Sequence, residues 1–272
     1  MKKLFLACMV SCGLAAPALG ADVAVPAPAY QPIVARPTYI WTGCYAGVNA
    51  GGGGAPQTWT DVNGTFGVLP GASLGDHTAR GVVGGGQLGC DVQLGSFVFG
   101  AQGLYDLTGM KGNDLQPNRF FLNNSFVQSI ATLTARAGFT PKPNVLLYVK
   151  GGGAWVHDLY NVSTPPGAGI SLVPGTLVIT SLLSPTLVSG TILALGRNTS
   201  GGLTLGGGVE WAPFGGDWTV SLEYSYMNFG TSRVTFLPTV VNVSAIPVDI
   251  RQTAQTVLFG LNYRFLGGSP RY

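Results

Sequence analysis

The chain has 272 residues, with 14 Lys and Arg against 11 Asp and Glu, and charged side chains fill only 9% of positions. A soluble domain carries about 25% charged residues, so this composition, with 42 Gly and 10% aromatic residues, argues against an ordinary water-facing surface. The near balance of charge gives no electrostatic case for nucleic acid.

Residues 1–20 read as a secretory signal. Lys2 and Lys3 supply the positive start, Leu4 to Val10 begin a short apolar core, and Ala18-Leu19-Gly20 offers small residues before Ala21. The apolar run is too short for a membrane helix. Cys12 lies too near the start for a lipoprotein cleavage site. Without Lys2 and Lys3 the chain keeps 12 basic and 11 acidic residues, a net charge of +1. Residues 21–40 are Pro-rich and read as a flexible lead-in that joins no sheet easily.

From residue 41 onward the dominant signal is alternation, the period of a two-faced strand. Eight candidates follow, at about 43–53, 80–93, 97–107, 131–140, 145–156, 203–211, 218–226 and 256–265. In the last, Val257, Phe259, Leu261, Tyr263 and Phe265 oppose Thr256, Gly260, Asn262 and Arg264, with Leu258 the one bulky exception on the polar face. Breaks alternate short (94–96, 141–144, 212–216) and long (54–79, 108–124, 157–199, 230–250). That is the topology of outer-membrane barrels, with short periplasmic turns and long extracellular loops. The fold class is therefore all-β, an eight-stranded antiparallel transmembrane β-barrel over 41–265, with a C-terminal extension at 266–272. The uncharged stretch between Asp158 and Arg197 is long enough for a membrane helix. Pro185, Gly190 and its Thr, Ser, Val and Ile content favour instead a loop with its own hairpin turning near Ser184-Pro185.

An eight-strand barrel has an interior just wide enough for side chains to fill. Asp91, Asp106, Glu210 and Glu223 share the predicted lumen with Arg136, Lys150 and Arg264. They are expected to form a near-neutral network of paired charges. Arg80, Arg197, Arg233 and Arg251 fall near the predicted outer rim, where guanidinium groups suit lipopolysaccharide phosphates.

No metal, cofactor or catalytic centre is expected. His77 and His157, in or beside predicted loops, are the only histidines. They are too far apart in sequence to suggest haem ligation, and nothing fixes a nucleophile beside either. Gly-rich runs such as Gly51 to Gly54 lack the helix and Lys of a phosphate loop.

Trp41-Thr42-Gly43-Cys44-Tyr45-Ala46-Gly47 resembles the opening of small outer-membrane proteins of alphaproteobacteria. These are known as outer-membrane immunogenic or porin-family proteins and are similar to the transmembrane barrel of outer-membrane protein A. Gly85 to Asp91, Gly208 to Trp211, Glu223 to Gly230 and Gly260 to Phe265 are similar to later strands of that family, in order. The resemblance implies that Tyr263 and Phe265 are the signal read by the barrel-assembly machinery, although here Leu266 to Tyr272 follow them. Cys44 and Cys90 stand where the family has aromatics. Both are predicted lipid-facing near the periplasmic end of adjacent antiparallel strands, and a cross-strand disulfide is expected in the oxidising periplasm.

The expected role is a monomeric outer-membrane barrel, in contact with lipid and lipopolysaccharide, that supports envelope integrity and presents loops. A narrow weakly selective porin and a surface binding protein for haemin or host or phage ligands are the alternatives.

Overall fold

A computed structural model describes residues 39–66, 68–117, 119, 121–165, 192–213, 216–239 and 244–265. The signal, most of the lead-in, the hairpin expected near Ser184-Pro185 and the extension at 266–272 lie outside the described residues. The strands are β1 (Gly43–Asp61), β2 (Ser73–Leu94), β3 (Phe97–Thr108), β4 (Lys111–Leu115), β5 (Leu122–Lys142), β6 (Val145–Ser163), β7 (Ile192–Trp211), β8 (Trp218–Pro238) and β9 (Ile246–Arg264). All pairings are antiparallel. β1 pairs with both β2 and β9, which closes the sheet. β4 continues the course of β3 between β2 and β5, and the Gly109 N–H still bonds to the Val82 carbonyl across the break. The ring therefore has eight staves.

Alternation sets which side chains meet lipid. Val48, Leu88, Leu133, Val149, Leu205 and Phe259 point outward and are exposed. Aromatic residues bracket this belt. Phe97, Phe139, Trp211, Trp218 and Tyr263 lie toward the short turns, and Tyr105, Trp155, Tyr224 and Tyr226 toward the long loops. Two aromatic girdles around an apolar band mark the two membrane interfaces.

The strands are longer than the sequence suggests. At 19 to 22 residues for most staves, they exceed the 9–11 residues, roughly, that cross a bilayer. Much of 54–79, 157–199 and 230–250, expected as loop, is strand that rises as a collar beyond the girdle. Alternation persists there with its meaning reversed. Trp59, Val234, Phe236, Val248 and Ile250 point inward, whereas Thr58, Arg233, Thr235, Asp249 and Arg251 point outward. Water replaces lipid outside, so the apolar face turns in. Register shifts between Val127 and Ser129 and between Asn228 and Gly230 also exchange odd and even positions along β5 and β8. Gly230 adopts φ 67°, which a bulge of this kind favours.

Narrowness leaves marks on the inner wall. A Cβ at Gly51 would fall 1.9 Å from the Val257 carbonyl oxygen, and one at Gly152 would fall 2.1 Å from that of Leu133. Neighbouring backbone fills that space. At the outward-facing Gly54 the nearest atom to such a Cβ is 3.5 Å away, an ordinary contact.

Cys44 and Cys90 are register partners on β1 and β2, with Cα atoms 4.0 Å apart and their sulfurs bonded. Cys90 is exposed on the outer wall near the short-turn end. The bridge spans 46 residues, and a loop of that size stabilises the fold by about 4 kcal/mol in the chain-entropy model.

Two outcomes are expected. Mass analysis under non-reducing conditions should find a peptide pair joined through Cys44 and Cys90, and alkylatable thiols at both positions would contradict the bridge. Gly152→Val should destabilise the barrel by about 1–3 kcal/mol or more, read as lost heat resistance of the folded band on a gel, while Gly54→Val should not.

Candidate functional site

The lumen is built in layers. Nearest the short turns, Tyr39, Trp41, Val98, Leu146, Tyr148 and Ala212 pack as an apolar floor. Tyr39 belongs to this floor although the flexible lead-in was expected to run to residue 40. The Trp41 indole N–H donates to the Pro143 carbonyl at 2.9 Å, which ties the segment before β1 to the β5–β6 turn.

Above the floor lie two acids and two bases, all essentially without solvent contact. Arg136 makes a two-pronged contact with Asp91, its Nε donating to Oδ1 at 2.7 Å and its Nη2 to Oδ2. Its Nη1 reaches Glu210 Oε2 at 3.1 Å. Arg264 Nη2 lies 2.8 Å from Asp91 Oδ2 and 3.3 Å from Glu210 Oε1, and its Nη1 donates to the Trp41 carbonyl at 2.7 Å. Thr219 and Asn262 also donate to Glu210. Aromatic faces complete the cage. Arg136 sits between Tyr45 and Tyr148 at 4.8 and 5.0 Å, and Arg264 against Trp41 and Tyr45 at 4.8 and 5.1 Å. Pairing with planar, bidentate geometry and ring contacts is how guanidinium groups tolerate burial.

A second pair stands higher, with Lys150 Nζ 2.5 Å from Glu223 Oε1 and 3.1 Å from Gln102 Oε1. Gln102, Gln87 and Asn262 then pass hydrogen bonds from this pair to Glu210, at 3.3, 2.6 and 3.3 Å. Asp106 is buried, and no base among the described residues is within 4 Å of it. The space between Asp106, Lys150 and Glu223 is about 10 Å³, near the smallest volume that admits one water. The seven predicted lumen charges thus all point inward, as a cluster of four, a pair and a separate carboxylate. The bridging amides and the ring faces of Tyr45 and Tyr148 were missed. The amides' place on the polar face of each strand was the available signal.

Two apolar layers follow. Leu104, Ile130, Val156, Met227, Phe229 and Leu258 form the first, which explains Leu258 on an otherwise polar face. Beyond it, Gln252 bonds both Asp158 and Tyr160 at 3.2 Å, and His77 Nε2 meets Ser125 Oγ at 2.7 Å. Trp59, Phe66, Phe121, Val234, Phe236 and Ile250, with other apolar residues, then fill the collar. Both histidines lie in strands rather than loops. His77 points inward on β2, whereas His157 bonds Thr199 on the outside of β6 and β7. Among the described residues no group of three or more His, Cys, Asp and Glu could hold a metal ion.

The four rim arginines are all outward and exposed on the collar. Arg233 is engaged, with two hydrogen bonds to Asp249 at 2.8 and 3.0 Å. Arg80, Arg197 and Arg251 have no carboxylate within 4 Å among the described residues. Tyr263 and Phe265 face outward at the short-turn end, and the Tyr263 ring stacks edge-on with Trp218 at 5.1 Å.

Known proteins are similar to this chain in sequence over almost all of its length. The 31 kDa outer-membrane immunogenic protein of Brucella melitensis biotype 1 is 28% identical over 273 aligned positions, covering 97% of this chain and all of the relative. Its counterpart in Brucella suis biovar 1 matches equally. Among solved structures, the outer membrane protein OprG of Pseudomonas aeruginosa aligns with 84% of this chain and 100% of its own, at 10% identity and a TM-score of 0.48. The family model described as outer membrane protein beta-barrel domain matches residues 18–265. The chain belongs to that family and is a protein of the Gram-negative outer membrane.

Proposed function

We propose that this protein is a non-conducting wall element of the outer membrane, which supports envelope integrity and presents its collar and loops to the outside. The observation that carries this reading is the lumen. A neutral cluster of four buried charges and the Lys150–Glu223 pair are followed by two apolar layers that enclose a thin polar one around Asp158 and Gln252, so an ion entering from either side would lose its hydration without gaining a continuous polar path. The length of the strands supports the second half of the reading. They lift the loops clear of the upper aromatic girdle, where antibodies and other large molecules have access. The Brucella relatives carry the name outer-membrane immunogenic protein, which agrees with such exposure. The role is not catalytic.

A narrow porin makes the opposite forecast, and one protein preparation distinguishes them. Wild-type barrel in planar bilayers should give no discrete conductance steps. Arg136→Ala leaves Asp91 and Glu210 short of a partner and should destabilise the barrel by about 3–5 kcal/mol, seen as a lower unfolding temperature, again without conductance. Regular current steps in the wild type that change with Arg136→Ala would replace this proposal with the porin. In cells, deletion of the gene should sensitise the envelope to detergent and to large antibiotics. An unchanged barrier would remove the integrity role.

A further inference from the structure

The outer wall carries a groove that neither the filled lumen nor the loops account for. It runs up β1, whose outward residues Gly52, Gly54 and Pro56 are small or flat, between the taller side chains of β2 and β9. Register fixes what stands on each side. At Gly52 the partners are Val82 and Val257, both exposed within the apolar belt. At Gly54 they are Arg80 and Gln255. At Pro56 the walls are Thr78 and Thr253. The part lined by Gly54, Pro56, Thr78, Arg80 and Gln255 has a volume of about 270 Å³. It shares Pro56 and Thr78 with a second hollow above it of about 330 Å³, which Arg251 also lines.

Arg80 has a further peculiarity. Its register partner on β4 is Lys111, so two cations stand directly opposite each other across a strand pair. Like charges in that position are destabilising. Neither has a carboxylate within 4 Å among the described residues, and both are exposed. Lys111 stands on the far side of β2 from the groove and lines a neighbouring hollow with Phe126, its Nζ 5.4 Å from that ring's centroid. Asp76, the acid nearest along β2, is at the upper end of the groove beside Thr58 and Arg251. The cation pair is two residues above the exposed Val82, at the level where the apolar belt gives way to head groups.

From apolar walls, through a guanidinium and an amide, to hydroxyls, the groove changes character in the order acyl chain, phosphate, sugar. We propose that it is a binding site for a phosphorylated glycolipid of the outer leaflet, lipopolysaccharide. One acyl chain lies along Gly52, a phosphate sits over β2 at the groove's edge between Arg80 and Lys111, and sugar hydroxyls meet Gln255, Thr78 and Thr253. A phosphate between the two cations removes their repulsion and takes charge-assisted hydrogen bonds from the planar Arg80 fork. Of the arginines expected at the rim, the site uses Arg80. Arg233 is satisfied by Asp249, and Lys111 supplies the second cation that the sequence did not single out.

The test titrates deep-rough lipopolysaccharide onto the folded barrel in detergent micelles, with the heat-resistant gel band of each variant confirming its fold. Arg80→Ala combined with Lys111→Ala removes two charge-assisted contacts and should weaken binding by about tenfold or more. Gly54→Leu keeps both charges and fills the groove. Its Cβ has 3.5 Å of clearance, so the barrel should fold and binding should fall by a similar factor. Lipopolysaccharide stripped of its lipid phosphates should bind the wild type as weakly as intact lipid binds the double variant. Unchanged affinity in either variant overturns the site. Equal affinity for phosphatidylglycerol, or competition by inorganic phosphate alone, would also overturn it, because the groove would then read phosphate without the glycolipid.

Discussion

Everything in this protein follows from closing a sheet of eight staves in lipid. In a bilayer an unpaired strand edge leaves backbone N–H and C=O groups without partners, each at a cost of several kcal/mol. The pairing of β1 with β9 removes the last edge. Closure with so few strands then dictates a narrow interior. Backbones approach so closely that glycine is required at inner positions such as Gly51 and Gly152, and whatever side chains point inward must pack against one another.

The inner contents meet that demand by alternating chemistry along the axis. Charges are tolerable in the lower half only because each guanidinium is held by carboxylates on opposing strands and by aromatic faces. Arg136 on β5 joins Asp91 on β2 to Glu210 on β7, and Arg264 on β9 joins the same two acids. The cluster therefore ties together staves that are not neighbours in the sheet. It is cross-bracing as much as filling. Higher up, where the wall leaves the membrane, the same fold behaves as a water-soluble barrel, with a largely apolar centre that encloses the hydrogen-bonded Asp158–Gln252–Tyr160 group and a polar outside. One set of strands thus serves two solvents. The exchange of faces falls at the upper aromatic girdle, marked by Trp155 and Tyr226.

In the proposed role, function then moves to the outer surface. A filled interior leaves little for transport to use, and the exposed chemistry lies on the collar and in the β1 groove. There, small residues on one stave let side chains from its two neighbours form walls. That arrangement exists only because antiparallel register sets Gly54 opposite both Arg80 and Gln255.

The sequence by itself determined the fold class, the eight staves, the short turns, the family, and the seven inward charges of the membrane-spanning part, but not the buried Asp61 and Asp158 of the collar. All of these depend on period-two alternation or on local turn residues, and both are properties of contiguous residues. It also placed Cys44 and Cys90 at the same end of facing strands, because strand direction and alternation are read from contiguous residues, although the register that pairs them across 46 residues is not. Its reading of long loops failed where alternation continued with inverted polarity and where the shifts at Val127–Ser129 and Asn228–Gly230 exchanged the faces. A rule that seeks apolar residues outside cannot follow a strand from lipid into water. Only the tertiary structure decided which charges pair, since Asp91, Arg136, Glu210 and Arg264 are distant in sequence and meet through closure. For the same reason, only it showed Lys111 beside Arg80 and a groove along β1. Those contacts are set by the stagger between strands, a quantity that no single strand carries.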